Sequence, residues 1–366
     1  MSSGVFIAST GQHVGKTTTC LGLLSGLRKR FSKIGFIKPV GQEHVITTEG
    51  AHADKDVVLF KDHFSLPEGY ETMSPVLFPR GFTREYLDGK WNLKDLKKKI
   101  ADSYQAIRKE ADFVLAEGTG HIGVGSIVNL NNAEVAKLLG LKCVIIASGG
   151  LGSSFDALAL NKLCCDLQGV EVAGVILNRV LPDKREMILN YMGKALKRWN
   201  LPILGCIPFD PFLSNPSLND FESLFRTTLL SGEERRLSHY RHTRLISTSA
   251  GDFAKMIVPS TLLITSATRD DILRITLKKF KEYQKRGEEL DVAIILTGRT
   301  EPNEKMVGKL REASIPMLYA PLPSYKVTKM ITSYTVKIRI EDKEKIHEAI
   351  ELVENHIDFE RIIKAV

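Results

Sequence analysis

The sequence contains few cysteines, and their spacing serves neither cross-linking nor metal binding. Five cysteines occur among 366 residues, two of them adjacent as Cys164 and Cys165, and no C-x-x-C pair is present. An odd number without such spacing argues against a disulfide framework and against a zinc site. We therefore expect a reducing compartment, with the cytoplasm as the default localisation.

Long hydrophobic runs are missing as well. No apolar run approaches the roughly 18–20 residues that a membrane-spanning helix requires. Strand-forming residues begin almost at the first position, where a secretory leader would carry a basic segment and then an apolar one. We therefore expect neither a signal peptide nor a membrane partner.

Recognisable nucleic-acid motifs are also absent, although the formal net charge is +8. Basic residues cluster in "LRKRFSK" (27–33) and "KDLKKK" (94–99), but no helix-turn-helix, RNP-type or zinc-finger pattern accompanies them. Solvated helix faces explain these clusters, and the positive charge would also attract anionic nucleotides. We do not expect a nucleic-acid partner.

Apolar runs alternate with amphipathic stretches along most of the chain. Near-continuous apolar runs are typical of parallel strands that helices cover on both faces. The sequence therefore predicts an α/β fold with a mainly parallel sheet, in which ligands bind at the carboxyl ends of the strands. The runs that predict strands in the first two thirds are "VFIA" (5–8), "KIGFIKPV" (33–40), "DFVLAEGTG" (112–120), "KCVIIASGG" (142–150), "VAGVILNRV" (172–180) and "ILGCIP" (203–208).

The segment "ASTGQHVGKTTTC" (8–20) lies between a predicted strand and a predicted helix. Its glycines and the helix start would direct backbone N–H groups at a phosphate. Lys16 would then reach the terminal phosphates, and the Thr17 hydroxyl would hold Mg²⁺. Thr10 stands where the strict G-x-x-x-x-G-K-[ST] pattern has its first glycine. We predict a phosphate-binding loop formed by Gly11, Gln12, His13, Val14, Gly15, Lys16, Thr17 and Thr18.

Charged residues follow the next predicted strands. Lys38 would lie beside the loop and face a phosphate or an anionic substrate, and a solvated strand-end lysine is the alternative. Asp54 and Asp56 precede an amphipathic helix, where acidic residues are also common as caps. Glu117 ends a buried apolar run and needs a cation or hydrogen-bond partners there. Because Mg²⁺ takes a few oxygens together with phosphate and water, we predict that Glu117 is a metal ligand with Thr17 and an aspartate.

The same patterns predict the domain organisation. We expect a P-loop domain over residues 1–212, a turn-rich and charged linker over 213–245, and a smaller α/β domain over 246–340. Residues 341–366 predict a terminal helix that faces a core or a second subunit. Its apolar stripe consists of Ile346, Ile350, Val353 and Ile357.

A set of motifs over about residues 4–212 resembles dethiobiotin synthetase. The motifs, in order, are "TGQHVGKT", "IGFIKPVGQ", "KDVVLFK", "LAEGTG", "ILNRV" and "PILGCIP". The resemblance implies that Lys16 and Lys38 act on the phosphates of ATP. It also implies that Mg²⁺ is held by Thr17, Asp56 and Glu117. Asp56 is preferred to Asp54 because its spacing to Leu66 is closer to that of the family.

The same resemblance implies a base-binding site. Asn178 would read the adenine, and Pro208 would lie beside it. The substrate half departs from the family, since Gln42 replaces a serine and His121 follows Glu117-Gly118-Thr119-Gly120, where the synthetase has E-G-A-G-G-W. The motifs for nucleotide binding are thus kept, while the residues expected at the substrate differ from those of the family.

The remaining motifs resemble the N-terminal half of long bacterial phosphate acetyltransferases. In those enzymes a dethiobiotin-synthetase-like domain is joined to a DRTGG domain. The motifs "SNPSLNDF", "KMIVPSTLLITSATRDDILRITL" and "ILTGRTEPNEKMV" carry this resemblance, although the letters D-R-T-G-G do not occur. We find no counterpart of the acetyltransferase domain, so we do not expect acetyl transfer.

Two functions follow as alternatives. The first is a Mg-ATP-dependent enzyme, an ATPase or ligase that activates an unidentified small substrate by phosphoryl transfer. The second is a nucleotide-responsive regulatory or scaffold protein that acts on a regulated protein. A plain interaction protein with a vestigial P-loop is disfavoured, because the phosphate and metal positions are all kept. A homodimer is expected, because the related synthetase builds its active site across one.

Overall fold

The computed structural model describes residues 3–47 and 49–366, which divide into two compact units. The first unit contains the described residues up to Phe209 together with Ile338–Val366, and the second contains Asp210–Lys337. Each unit has its own sheet and its own core.

The first unit is built on a six-stranded parallel sheet in the order β10-β9-β8-β1-β7-β2. Its central strands are buried because near-continuous apolar runs form them. The strands of this unit are β1 (Ser3–Ser9), β2 (Ile34–Ile37), β3 (Val40–Gly41), β4 (His44–Ile46), β5 (His52–Asp54), β6 (Val76–Leu77), β7 (Phe113–His121), β8 (Cys143–Ser148), β9 (Val172–Val180) and β10 (Ile203–Pro208). Two small sheets, β3-β6 and β4-β5, accompany the main one.

Helices cover both faces of this sheet. The helices of this part of the chain are α1 (Lys16–Arg28), α2 (Lys55–Phe64), α3 (Tyr70–Met73), α4 (Phe82–Leu87), α5 (Leu93–Glu110), α6 (Asn132–Leu139), α7 (Gly152–Gln168) and α8 (Arg185–Leu196). The helix after β1 leads towards β2 on one side of the sheet, and the helix after β8 leads towards β9 on the other. Right-handed crossovers in opposite directions place helices on opposite faces. They also open a crevice where β1 and β8 end, which is the usual ligand position in such folds.

The second unit contains a five-stranded sheet in the order β11-β15-β14-β13-β12. Its elements are α9 (Leu218–Phe225), β11 (Leu229–Ser231), β12 (His242–Leu245), α10 (Ala250–Met256), β13 (Thr261–Ser266), α11 (Asp270–Lys285), β14 (Val292–Thr297), α12 (Glu304–Glu312), β15 (Met317–Ala320) and α13 (Ser324–Ser333). Successive residues of β13 enter two different cores, Leu263 one and Leu262 with Ile264 the other. Both faces of this sheet are therefore covered, as the period of two requires.

The fold class predicted from the sequence is confirmed. The predicted linker over 213–245, however, supplies α9, β11 and β12 to the second unit. Its turn-rich start conceals a short helix, which Ser217 and Asp220 begin with reciprocal capping hydrogen bonds. Leu218, Phe221 and Phe225 then enter a core together with the sheet, so this segment is part of a folded unit.

The chain returns to the first unit after residue 337. Two final helices, α14 (Lys343–Glu354) and α15 (Phe359–Ala365), belong to it. Val353 of α14 and Phe359 of α15 are buried against Gly22 and Gly26 of α1. The last helices thus support the helix that begins at the predicted phosphate-binding loop.

Candidate functional site

The loop between β1 and α1 is held in the crevice at the end of the central strand. The Thr10 N–H donates to the carbonyl oxygen of Ile146 over 2.9 Å, which ties the loop to β8. Gly15 has a φ of 87° and α1 begins directly after it, at Lys16. The first turn of α1 contains no acidic residue. Its free N–H groups therefore form a site suited to an anion.

Asn178, at the end of β9, fixes this loop from the other side. Its buried side-chain amide donates to the carbonyl oxygens of Val14 over 2.8 Å and of Gly15 over 3.5 Å. Its side-chain oxygen accepts from the N–H of Arg179. In this arrangement the polar atoms of Asn178 bind backbone groups, and its predicted reading of adenine stays a prediction. Pro208 ends β10, the neighbouring strand.

Lys38 is buried in a group of carboxylates beside the loop. Its ammonium forms ion pairs with Asp56, with Asp54 over 3.1 Å and with Glu117 over 3.8 Å. Burial lowers the pKa of Lys38, but the charges of Asp56, Asp54 and Glu117 outweigh it, so the pKa lies well above its usual value. Lys38 is thus a permanently charged counter-ion for three carboxylates.

Glu117 combines full burial with an incomplete set of partners. Its Oε1 accepts a hydrogen bond from the Thr17 hydroxyl over 3.4 Å, whereas its buried Oε2 has no hydrogen-bond partner among the residues that the structure describes. Burial raises the pKa of Glu117 to about 7, against the opposing charge of Lys38. A buried carboxylate oxygen without a partner is costly unless a cation or a donor satisfies it.

Lys16 lies half-buried at the start of α1. Burial is the main cause that lowers the pKa of its ammonium, while Glu117 opposes that change and the like charge of Lys38 adds to it. Within residues 3–47 and 49–366, no carboxylate lies within 4.0 Å of this ammonium. It therefore remains available for an anionic ligand.

The predicted metal ligands meet at the same place. Thr17 and Glu117 share a hydrogen bond, and Asp56 reaches Glu117 through Lys38. The part of the chain that the structure describes contains no cluster of three or more His, Cys, Asp or Glu side chains suited to a metal. Mg²⁺, however, needs only one or two carboxylates beside phosphate and water oxygens. The free Oε2 of Glu117 and the Thr17 hydroxyl fit that requirement.

Asp54 caps a helix, which was one of the two roles that the sequence allowed. It begins α2 by accepting the N–H of Asp56, and its other oxygen accepts the N–H groups of Gln42 and Glu43. The other predicted loop residues divide by exposure, since Val14 is buried while Gln12 and His13 are exposed.

Three polar residues that support the site were missed. Ser9 donates to the carbonyl oxygens of Gly11 and Gly120, and Asn161 donates to that of Thr10. Asn132 binds the backbone of Thr119 in both directions, which fixes the strand end after Glu117. Ser9 ends β1, while Asn132 and Asn161 lie in α6 and α7. Single polar residues in strands and helices give no sequence pattern, so no signal marked them.

Comparison with protein families decides where the chain belongs. A family model described as an AAA domain (AAA_26), which has a dethiobiotin-synthetase-like P-loop, matches residues 3–217. The chain belongs to this AAA-domain family. A model described as a DRTGG domain matches residues 223–334. The predicted resemblance to these two domains is confirmed.

The curated relatives are phosphate acetyltransferases. That of Nitratidesulfovibrio vulgaris is 26% identical over 98% of this chain and 51% of its own length. That of Pseudomonas putida is 26% identical over 96% of this chain and 50% of its own length. The chain thus spans about half the length of these relatives and matches their N-terminal half.

Solved structures include the cell division protein MinD of Aquifex aeolicus. It is 16% identical, with a TM-score of 0.35, and the alignment covers 58% of this chain and 84% of that protein.

Among the helices of the described residues, none is both long enough and apolar enough to cross a membrane.

Proposed function

We propose that the first unit binds Mg-ATP at the loop before α1 and transfers its γ-phosphoryl group to a small substrate. One observation carries this proposal. Lys16 and Thr17 begin α1 beside Glu117, whose buried Oε2 has no hydrogen-bond partner in the described part of the chain. A helix N-terminus, a free ammonium and an unsatisfied carboxylate are the groups that a metal–triphosphate complex requires.

Each residue has a distinct part in this proposal. The N–H groups of α1 and the Lys16 ammonium bind the phosphates, and Thr17, Asp56 and Glu117 hold Mg²⁺. The metal, when bound, neutralises charge on the phosphate oxygens. Lys38 neutralises Asp56 and Glu117 in the structure. Asp56 and Glu117 would hold the metal, and the Lys38 ammonium beside them would supply positive charge for the transferring group.

A second candidate function is a nucleotide-responsive regulator or scaffold. The observation that favours it is the departure of Gln42 and His121 from the substrate residues of the related synthetase, while the nucleotide-binding residues are kept. The ion pairs of Lys38 agree with a resting state of the protein. In this candidate function, ATP binding changes the conformation of the protein and no substrate is phosphorylated.

The two candidates differ in turnover, which ADP release from Mg-ATP measures. We expect the purified chain to bind ATP, and to release ADP faster when pooled small metabolites are added. Lys16→Ala should abolish the stimulated release, because Lys16 carries the free ammonium. Lys197→Ala is the matched control, since Lys197 is an exposed lysine directly after α8, far from Lys16 in the sequence.

The outcomes separate the candidates. Stimulated release that Lys16→Ala abolishes and Lys197→Ala leaves intact supports the enzyme. Tight ATP binding without stimulated release supports the regulator. No ATP binding, or binding that Lys16→Ala leaves unchanged, contradicts both.

A further inference from the structure

A cleft of about 460 Å³ lies in the first unit and has no part in the proposed function. It is lined by residues of β4, β5, α3, β6, α4 and α5. This volume lies in the range typical of small-molecule sites, which are mostly apolar with a few well-placed polar groups. The lining of this cleft has the same composition.

Two aromatic rings form one wall. The centroids of Phe82 and Trp91 lie 5.0 Å apart, and Phe78 stacks on Phe82 at 4.3 Å. The indole N–H of Trp91 donates to Glu85 over 3.1 Å, which fixes the ring although 42% of Trp91 is exposed. An exposed aromatic ring held in one orientation is suited to stack on a flat apolar ligand.

The floor of the cleft is fixed by hydrogen bonds to neighbouring segments of the same protein. The hydroxyl of Ser74, which is 3% exposed, accepts the N–H of Asp54 over 3.0 Å. The adjacent carbonyl of Met73 accepts the N–H of Lys38 over 2.8 Å. Val76 and Leu96 complete an apolar floor. The cleft is therefore preformed, which lowers the entropy cost of binding.

The lining also contains three basic side chains. Lys99 and the imidazoles of His44 and His52 face the cleft, and the two imidazole centroids lie 6.1 Å apart. The segment "KDLKKK" (94–99) adds positive charge along α5. Among the residues that the structure describes, none forms an ion pair with Lys99 within 4.0 Å. Glu71 is the acidic residue of the lining.

We propose that this cleft binds a small amphipathic anion with a single negative group. The aromatic body of the ligand lies against Phe82 and Trp91, and its anionic group lies on Lys99 with His44 and His52. Glu71 disfavours ligands of higher negative charge, such as nucleotides, because a second anionic group would approach its carboxylate. This site goes beyond the proposed function and needs no nucleotide.

The probe for this proposal is 8-anilinonaphthalene-1-sulfonate, an aromatic anion whose fluorescence rises in apolar sites. Its uncharged counterpart is N-phenyl-1-naphthylamine. We expect the full chain, without nucleotide, to bind both probes. Lys99→Gln should weaken binding of the sulfonate about three- to fivefold, which is typical of one exposed ion pair, and leave the neutral probe unchanged. Trp91→Ala should weaken both probes.

Lys98→Gln is the matched control, because Lys98 neighbours Lys99 on α5 but does not line the cleft. It makes the same change in net charge and should leave both probes unaffected. Equal weakening by Lys98→Gln and Lys99→Gln would show general electrostatics and overturn the proposal. Unchanged binding of both probes to Trp91→Ala would also overturn it. Circular dichroism of each variant checks that the fold is intact.

Discussion

The side-chain amide of Asn178 donates a 2.8 Å hydrogen bond to the carbonyl oxygen of Val14, a residue 164 positions earlier in the chain. The bond joins the end of β9 to the loop that precedes α1. It explains why an asparagine stands here: a side-chain N–H₂ group satisfies a backbone carbonyl that the tight loop leaves without a partner.

The first prediction separates this loop-fixing role from adenine reading. Asn178→Ala should weaken ATP and inorganic triphosphate by the same factor, about tenfold, because two hydrogen bonds to the loop are lost. Isothermal calorimetry with both ligands measures it. Asn190→Ala, on the exposed side of α8, is the control. Weakening of ATP alone would instead support the adenine-reading role.

The second prediction concerns Gly15. A Cβ at this position would lie 2.3 Å from the amide nitrogen of Asn178, and the φ of 87° disfavours any other residue. Gly15→Ala should therefore weaken ATP binding by more than tenfold. Gly11→Ala is a matched control in the same loop, since its Cβ would meet a Val14 methyl at 3.6 Å, an ordinary van der Waals contact. Equal losses in the two variants would contradict the prediction.

The sequence predicts those parts of the molecule that depend on neighbouring residues. The run 172–180 was expected as a strand and forms β9 with the same bounds. The order of strand, loop and helix around Gly15 is local in the same way. Buried parallel strands are continuous apolar runs, so their pattern needs no tertiary information.

The remaining parts depend on contacts between distant residues. The rule for strand ends brings Lys38 and Glu117 to one edge, but it does not predict that Lys38 pairs with three carboxylates. An asparagine amide suits a base and a backbone carbonyl equally well, so Asn178 could not be assigned from its type. The helix α9 was missed because its eight residues are too few to show a clear helical periodicity of apolar residues.

The third prediction follows from the raised pKa of Glu117. Burial raises this pKa from 4.5 to about 7. Between these values the unfolded chain has released the proton while the folded chain keeps it, so stability falls as the pH rises. The contribution of Glu117 to the free energy of unfolding, about 3 kcal/mol at low pH, is lost by about pH 8.

Glu117→Gln cannot ionise and should escape this loss. Without nucleotide and with EDTA, the variant should gain stability relative to the natural chain between pH 4.5 and pH 8. Urea unfolding at both pH values measures the change. Glu110→Gln, at an exposed position on α5, is the control. A difference between Glu117→Gln and the natural chain that does not vary with pH would contradict the prediction.

The last prediction tests the support that α15 gives to α1. A Cβ on Gly26 would lie 2.1 Å from the ring of Phe359, which is buried. Gly26→Ala should destabilise the first unit by about 1–3 kcal/mol, because the ring must move. Gly193→Ala places the same methyl group on α8, where no described side chain or other segment lies within 4 Å of it, and should stabilise by up to about 1 kcal/mol. Tryptophan fluorescence during urea unfolding reports this unit, since Trp91 and Trp199 both belong to it. A change of the same sign in both variants would mean that α15 does not restrict α1.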